Sequence, residues 1–212
     1  RAFGNVVVGH NRYAIYSDGS GQMYGKTNRE DFAGIGGYED HSMDMIFTWD
    51  ENGILQGIML DIPCPSQVDE HLECFSADYW HDIRNELRRR LGNRIHVLAL
   101  CGAAGDQSPH LLVYQREEAD MLARRGLTER QEIARRVADE VEKALEITIP
   151  LNCDLKVKHL SQKVELERFR IMAEHREWAK KRLDEWFAAG RSNEGWWPRL
   201  LQEVVDSAKT TK

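Results

Sequence analysis

The chain has 212 residues, 42% of them hydrophobic, and a formal net charge of −6 at pH 7. That is apolar material for one sizeable core or two small ones, and the acid excess removes the global basic field that nucleic acid or an anionic membrane surface would require. No apolar run reaches the roughly 20 residues of a membrane-spanning helix, and the four cysteines (Cys64, Cys74, Cys101, Cys153) form no Cys-x-x-Cys pair, which excludes a zinc ribbon or a disulfide-dense scaffold. A single bridge such as Cys64 to Cys74 stays open, and with it the redox compartment.

Asn5 to Val8 reads as a short buried strand closed by Gly9-His-Asn-Arg12. Residues 17–40 hold many glycines and few large apolar side chains, which suggests a long functional loop. A hairpin is expected next, Met43 to Trp49 and Ile54 to Ile62, because Asn52-Gly53 sits inside a four-residue connection. Its second strand ends at Pro63-Cys-Pro-Ser66. Tyr79, Ile83, Leu87 and Leu91 recur every fourth residue and predict a helix over 77–91, with Ser76 as N-cap and Gly92 as its stop.

Arg94 to Leu100 reads as a strand, and a glycine-rich loop leaves its end. Residues 129–146 predict a second helix, opened by a Thr128/Gln131 capping box and buried along Ile133, Val137, Val141 and Leu145. The β-branched stretch within 147–160 suggests a further strand. From Val164 long charged helices are expected over 164–189 and 196–209, joined by Gly190 to Gly195. This order predicts an α/β fold with a mixed β-sheet, interleaved helices and a helical C-terminal tail. We divide it into an α/β portion over 1–160 and a charged helical tail over 161–212. The basic runs Arg88-Arg89-Arg90 and Arg124-Arg125 lie in or beside amphipathic helices and suit solvated faces.

The chemistry concentrates in Cys101-Gly-Ala-Ala-Gly-Asp-Gln-Ser-Pro-His110. Small residues such as Gly102 and Gly105 let a backbone approach a ligand, and their N–H groups suit an anion or oxyanion. Ser108 is a nucleophile if a base or metal helps it ionise, and Asp106 can orient a partner. A tight turn with Ser108 as a helix N-cap needs the same residues. The Lys-Ser/Thr ending of a phosphate loop is missing, so nucleotide binding fits poorly. Arg12 at the first strand's end can hold a carboxylate or a polarised oxygen, or be structural. His110, two residues past Ser108, shares its face on an extended segment. His41, His71, His81 and His110 with Asp40, Asp69, Glu70 and Glu73 invite a metal, yet Asp69 to Cys74 has no recognised ligand spacing and equally suits a polar loop. Trp186, Phe187, Trp196 and Trp197 form either a contact surface or the buried stripe of a helical hairpin.

Five segments in order, Asn5-Val-Val-Val-Gly-His-Asn-Arg12, the glycine-rich stretch, the hairpin ending at Cys64-Pro-Ser-Gln67, Ser76-Ala-Asp-Tyr79 and Gly105-Asp-Gln-Ser-Pro109, resemble the neutral/alkaline non-lysosomal ceramidase family over residues 5–146. The resemblance implies a zinc-dependent amidase that splits the N-acyl bond of ceramide into a sphingoid base and a fatty acid. Ser108 matches the serine of the family's Gly-Asp-x-Ser-Pro motif, and Arg12 the arginine of its Asn-Arg motif. Two departures stand out. Cys64-Pro-Ser-Gln67 occupies the place of a zinc-binding histidine, which makes Cys64 a substitute ligand at best. The other zinc ligands of the family belong before Arg1 and after the matched region. The resemblance therefore implies an internal portion of a larger catalytic domain, which completes the zinc site, and an extracytoplasmic location, periplasmic or secreted.

Together these readings name Ser108, Arg12 and Asp106 as catalytic candidates. Gly102, Gly105, Gln107, His110 and Asn11 are substrate-binding candidates, zinc is the implied cofactor and a lipid or other small-molecule amide the implied substrate. Two alternatives remain: a metal-free, non-catalytic relative that acts as a binding module, and a hydrolase of the same fold that acts on another amide or ester, such as a sugar conjugate.

Overall fold

A computed structural model describes residues 1–151, 156, 158–167 and 169–207. The chain divides into two compact units, Arg1–Cys153 and Asp154–Lys212. In chain order the first unit holds β1 (Ala2–Asn5), β2 (His10–Asn11), β3 (Tyr13–Tyr16), β4 (Gly21–Met23), β5 (Phe32–Ile35), β6 (Ser42–Trp49), β7 (Leu55–Ile62), α1 (Tyr79–Leu91), β8 (His96–Cys101), β9 (Gln107–Ser108), α2 (Gln115–Arg125) and α3 (Glu129–Ile147).

The β6–β7 hairpin is the centre of the main sheet. Asp50 closes its turn by accepting the N–H groups of Asn52 and Ile54, and Gly53 takes the left-handed conformation (φ 76°) that the turn requires. The sheet runs β1-β6-β7-β8, antiparallel except for the parallel β7–β8 pair, which α1 connects as a crossover. Alternate residues Met43, Met45 and Phe47 of β6 and Ile58, Leu60 and Ile62 of β7 point to one face. There they meet Tyr79, Ile83 and Leu87 of α1 and Ile133, Val137 and Val141 of α3. The fold is α/β with a mixed sheet, interleaved helices and a helical C-terminal segment, as the sequence predicts.

Several local expectations are corrected. The first strand is Ala2–Asn5, not Asn5–Val8. Val6 and Val8 are buried in the same core, but the chain leaves the sheet at Asn5, where the Val6 N–H turns to the His41 carbonyl. Residues 17–40 are no open loop, since β3, β4 and β5 build a three-stranded sheet in the order β4-β3-β5. Strands of three or four residues containing glycine and alanine carry too little alternation to announce themselves.

Asp78, not Ser76, caps α1. Its carboxylate accepts the N–H groups of Val68, Asp69 and Tyr79, while the Ser76 hydroxyl accepts the Asp78 N–H. The Thr128/Gln131 capping box of α3 forms as expected. Helix α2 has no bounds in the sequence beyond the basic run Arg124-Arg125, because none of its residues is buried and it has no apolar stripe. It is defined instead by Glu117 and Glu118 at its start, Arg124 and Arg125 at its end, and a left-handed Gly126.

The described residues of 148–160 contain no strand, and Leu155 and Val157 of the expected one lie outside the described residues. In the second unit the first helix, α4 (Ala173–Ala188), starts nine residues later than the expected 164, and α5 follows at Trp196–Asp206. Ala179, Leu183 and Leu201 form its small core with Trp197, Val204 and Val205, whereas Phe187 and Trp196 are exposed. No helix among the described residues is long and apolar enough to cross a membrane.

Candidate functional site

The site is a seam between two segments far apart in sequence. β2 and β9 pair antiparallel, His10 opposite Ser108 and Asn11 opposite Gln107, and the Arg12 N–H extends the pairing to the Asp106 carbonyl. The sequence-predicted Asn11, Arg12, Asp106, Gln107 and Ser108 thus meet in one place. Ser108 pairs with His10 in this short ladder and is fully buried.

Side chains reinforce the seam. Asn11 Nδ2 donates to Asp106 Oδ2 at 2.8 Å and Gln107 Nε2 to Asp106 Oδ1 at 2.9 Å, so two amides orient the carboxylate of an otherwise exposed Asp106. Arg12 Nη2 donates to the Gly105 carbonyl at 2.8 Å, and Nη1 to the Tyr24 hydroxyl at 3.3 Å. Tyr24 in turn donates to Ser108 Oγ at 3.3 Å, and the backbone N–H of His110 reaches the same oxygen at 3.2 Å. The Arg12 Nε–H is buried with no partner, and no carboxylate among the described residues pairs with its guanidinium. A cation without a counter-ion beside a serine hydroxyl can stabilise negative charge that develops on a bound oxygen.

The glycines play smaller parts than expected. Gly102 sits at the sheet's end, where its N–H is taken by the Ile62 carbonyl, so it is not a free oxyanion donor. Gly105 contributes the carbonyl that fixes Arg12. His110 departs from its expected role too. Its Nε2 donates to the Gln67 carbonyl at 2.7 Å, and Nδ1 faces Glu129 at 3.7 Å, so the ring turns away from Ser108. A carbonyl that can only accept, and a carboxylate beyond it, decide the ring's direction.

Glu129, in the first turn of α3, is raised to about 6 by burial, an effect partly offset by His110. An open groove of about 600 Å³ runs past Tyr24, Lys26, Glu70, His110, Leu112 and Gln115, so Tyr24 and His110 stand between it and Ser108.

Cys64 stands in no group of three metal-ligating side chains among the described residues, and its thiol is buried and directed at the carbonyls of Val8 and Pro65, which makes it a poor zinc ligand. Nitrogen and oxygen donors gather elsewhere: His10 Nδ1 lies 3.2 Å from Glu39 Oε1, and His41 Nε2 lies 3.1 Å from Glu39 Oε2.

Sequence reasoning missed Tyr24, Glu39 and Glu129 and gave His10 no role. Only the Glu39-Asp-His41 spacing could have pointed to one of them, since Tyr24 sits in a stretch read as loop and Glu129 looks like an ordinary first-turn acid. No protein-family model, no curated protein and no solved structure matches the chain.

Proposed function

We propose that the first unit carries the serine–arginine wall of a hydrolase that resembles neutral ceramidases and cleaves the N-acyl amide bond of ceramide or a related lipid amide. The observation that carries this reading is the Arg12–Tyr24–Ser108 chain, in which a guanidinium with no carboxylate partner among the described residues and a buried serine share one tyrosine hydroxyl. In this reading the substrate's carbonyl oxygen replaces the Tyr24 hydroxyl as the partner of Arg12. Arg12 then stabilises the charge that grows on that oxygen while a water adds to the carbonyl carbon beside Ser108; as the C–N bond breaks, the acyl group keeps the water's oxygen as a carboxylic acid and one of the water's protons passes to the leaving amine. Zinc, which the resemblance implies, would polarise the carbonyl when bound, but Cys64 does not hold it and no step here depends on it.

A second reading, the metal-free binding module, is favoured by the complete burial of Ser108 and by the cysteine at the family's ligand position. One assay separates the two. The purified protein is incubated with ceramides, other lipid amides and acylated sugars, and released fatty acid is quantified by mass spectrometry. The hydrolase reading expects release that Ser108→Ala and Arg12→Ala each reduce at least about 100-fold, as removal of one oxyanion donor does. Absence of release from every substrate, or release that both variants retain, overturns it.

A further inference from the structure

We propose that His10, Glu39 and His41 form a binding site for one divalent first-row transition ion of the zinc class. Among the described residues they are the one group of three such side chains whose ligand atoms all lie within 4.8 Å of one another. Two imidazoles and one carboxylate are a recognised donor set for zinc and for iron, and imidazole selects against magnesium and calcium. Metal–ligand bonds of about 2.0–2.1 Å place neighbouring donor atoms about 2.9–3.4 Å apart in octahedral or tetrahedral geometry. The N···O separations of 3.2 and 3.1 Å fall inside that range. Glu39 offers one carboxylate oxygen to each imidazole, and the three ligand atoms lie within 4.8 Å of one another.

The fold holds the donors in place before any ion arrives. His10 is fixed by strand pairing and its side chain is 8% exposed. Glu39 and His41 lie on the segment between β5 and β6, which is tied down on three sides. The Val6 N–H donates to the His41 carbonyl, Ser42 donates to Asp40, and Gln107 Nε2 donates to the Tyr38 carbonyl. Glu39 and His41 remain about one-third exposed, which leaves room for water or another ligand on the open side.

Two neutral imidazoles and one carboxylate carry one negative charge, which suits a dication. The site also lies on the seam described above, since His10 is directly opposite Ser108, and Cβ atoms so placed are about 4.5–5.5 Å apart. The inference stands apart from the hydrolase reading, because its test measures binding rather than turnover.

Purified protein is stripped with a chelator, dialysed and titrated with Zn²⁺ by calorimetry, with bound metal counted by mass spectrometry. The expected result is one zinc per chain. His41→Ala and Glu39→Gln each weaken it at least about 100-fold, beyond the loss from an outer-shell partner, while the exposed His71→Ala leaves it unchanged. X-ray absorption of the zinc-loaded wild-type protein supplies a reading that does not depend on how the variants fold, and it should show two imidazole nitrogens at about 2.0 Å. No binding, wild-type affinity in both ligand variants, or a first shell without imidazole overturns the site. Zinc bound without any amide cleavage would sink the hydrolase reading alone.

Discussion

Replacing Glu129 with glutamine should stabilise the protein near neutral pH. Burial raises this carboxyl from 4.5 to about 6, so the folded state binds its proton more tightly than the unfolded chain does. Below pH ~4.3 both states are protonated and the group is neutral to stability. As pH rises through about 6, the unfolded chain ionises freely while the folded one resists, and stability falls. A shift of about one and a half units corresponds to about 2 kcal/mol, reached fully above pH ~7. Favourable interaction of the carboxylate with the α3 N-terminus is already part of that balance, and glutamine forgoes it together with the cost. Glu129→Gln should therefore match the wild type at pH 4 and exceed it by 1–2 kcal/mol, to order of magnitude, at pH 7.5. Hydrogen exchange of α1 and α3 peptides, followed in increasing urea, reads the first unit by itself. Equal stability at both pH values, or a variant weaker at pH 7.5, would refute the premise that burial raises the Glu129 carboxyl.

Two further outcomes follow from burial and charge. Glu132 is buried and its carboxylate accepts from Arg125, Arg135 and Arg136, which hold it down at about 2; Glu132→Gln should cost about 3 kcal/mol at pH 7, and in the same exchange measurement the loss should shrink as pH falls from ~4.3 towards about 2, where the wild type also protonates. Cys64, with its thiol raised to about 12, should resist maleimide at pH 8 in the native protein while exposed Cys74 and Cys101 label; peptide mapping that finds Cys64 modified as fast as Cys74 would contradict its burial.

The elements legible in the sequence are those with a long apolar period. α1, α3 and the hairpin each repeat a pattern over enough residues to outweigh local noise, and the Thr128 capping box marks a boundary by its own chemistry. The three short strands of residues 13–35 and the exposed helix α2 have no such period, and tertiary pairing or terminal charge forms them instead. For the site, the sequence supplied residue types in two segments but not their meeting. Ser108 and Arg12 were each ambiguous, and only the β2–β9 pairing brings them to one place. Tyr24 links them from a segment with no readable motif, and a histidine's backbone position did not reveal that its ring turns away towards Gln67.

What separates this seam from an ordinary tight turn is where the molecule leaves its polar groups dissatisfied. Two carboxylates elsewhere in the first unit are fully served: Glu132 has three arginines and Asp78 has three N–H groups. Unpartnered polar atoms are more frequent around the seam. Of the six buried side-chain polar atoms without a hydrogen-bond partner among the described residues, four belong to Arg12, Gln67, Gln107 and Glu129. Tyr24, the residue that joins Arg12 to Ser108, has a left-handed backbone (φ 52°), which costs a non-glycine residue about 1–3 kcal/mol. A turn selected only for folding would shed such costs by single substitutions, as the Glu129→Gln experiment is designed to show. Their concentration beside a counter-ion-free guanidinium and a buried serine is the pattern expected where polar groups are kept for a ligand that satisfies them on arrival.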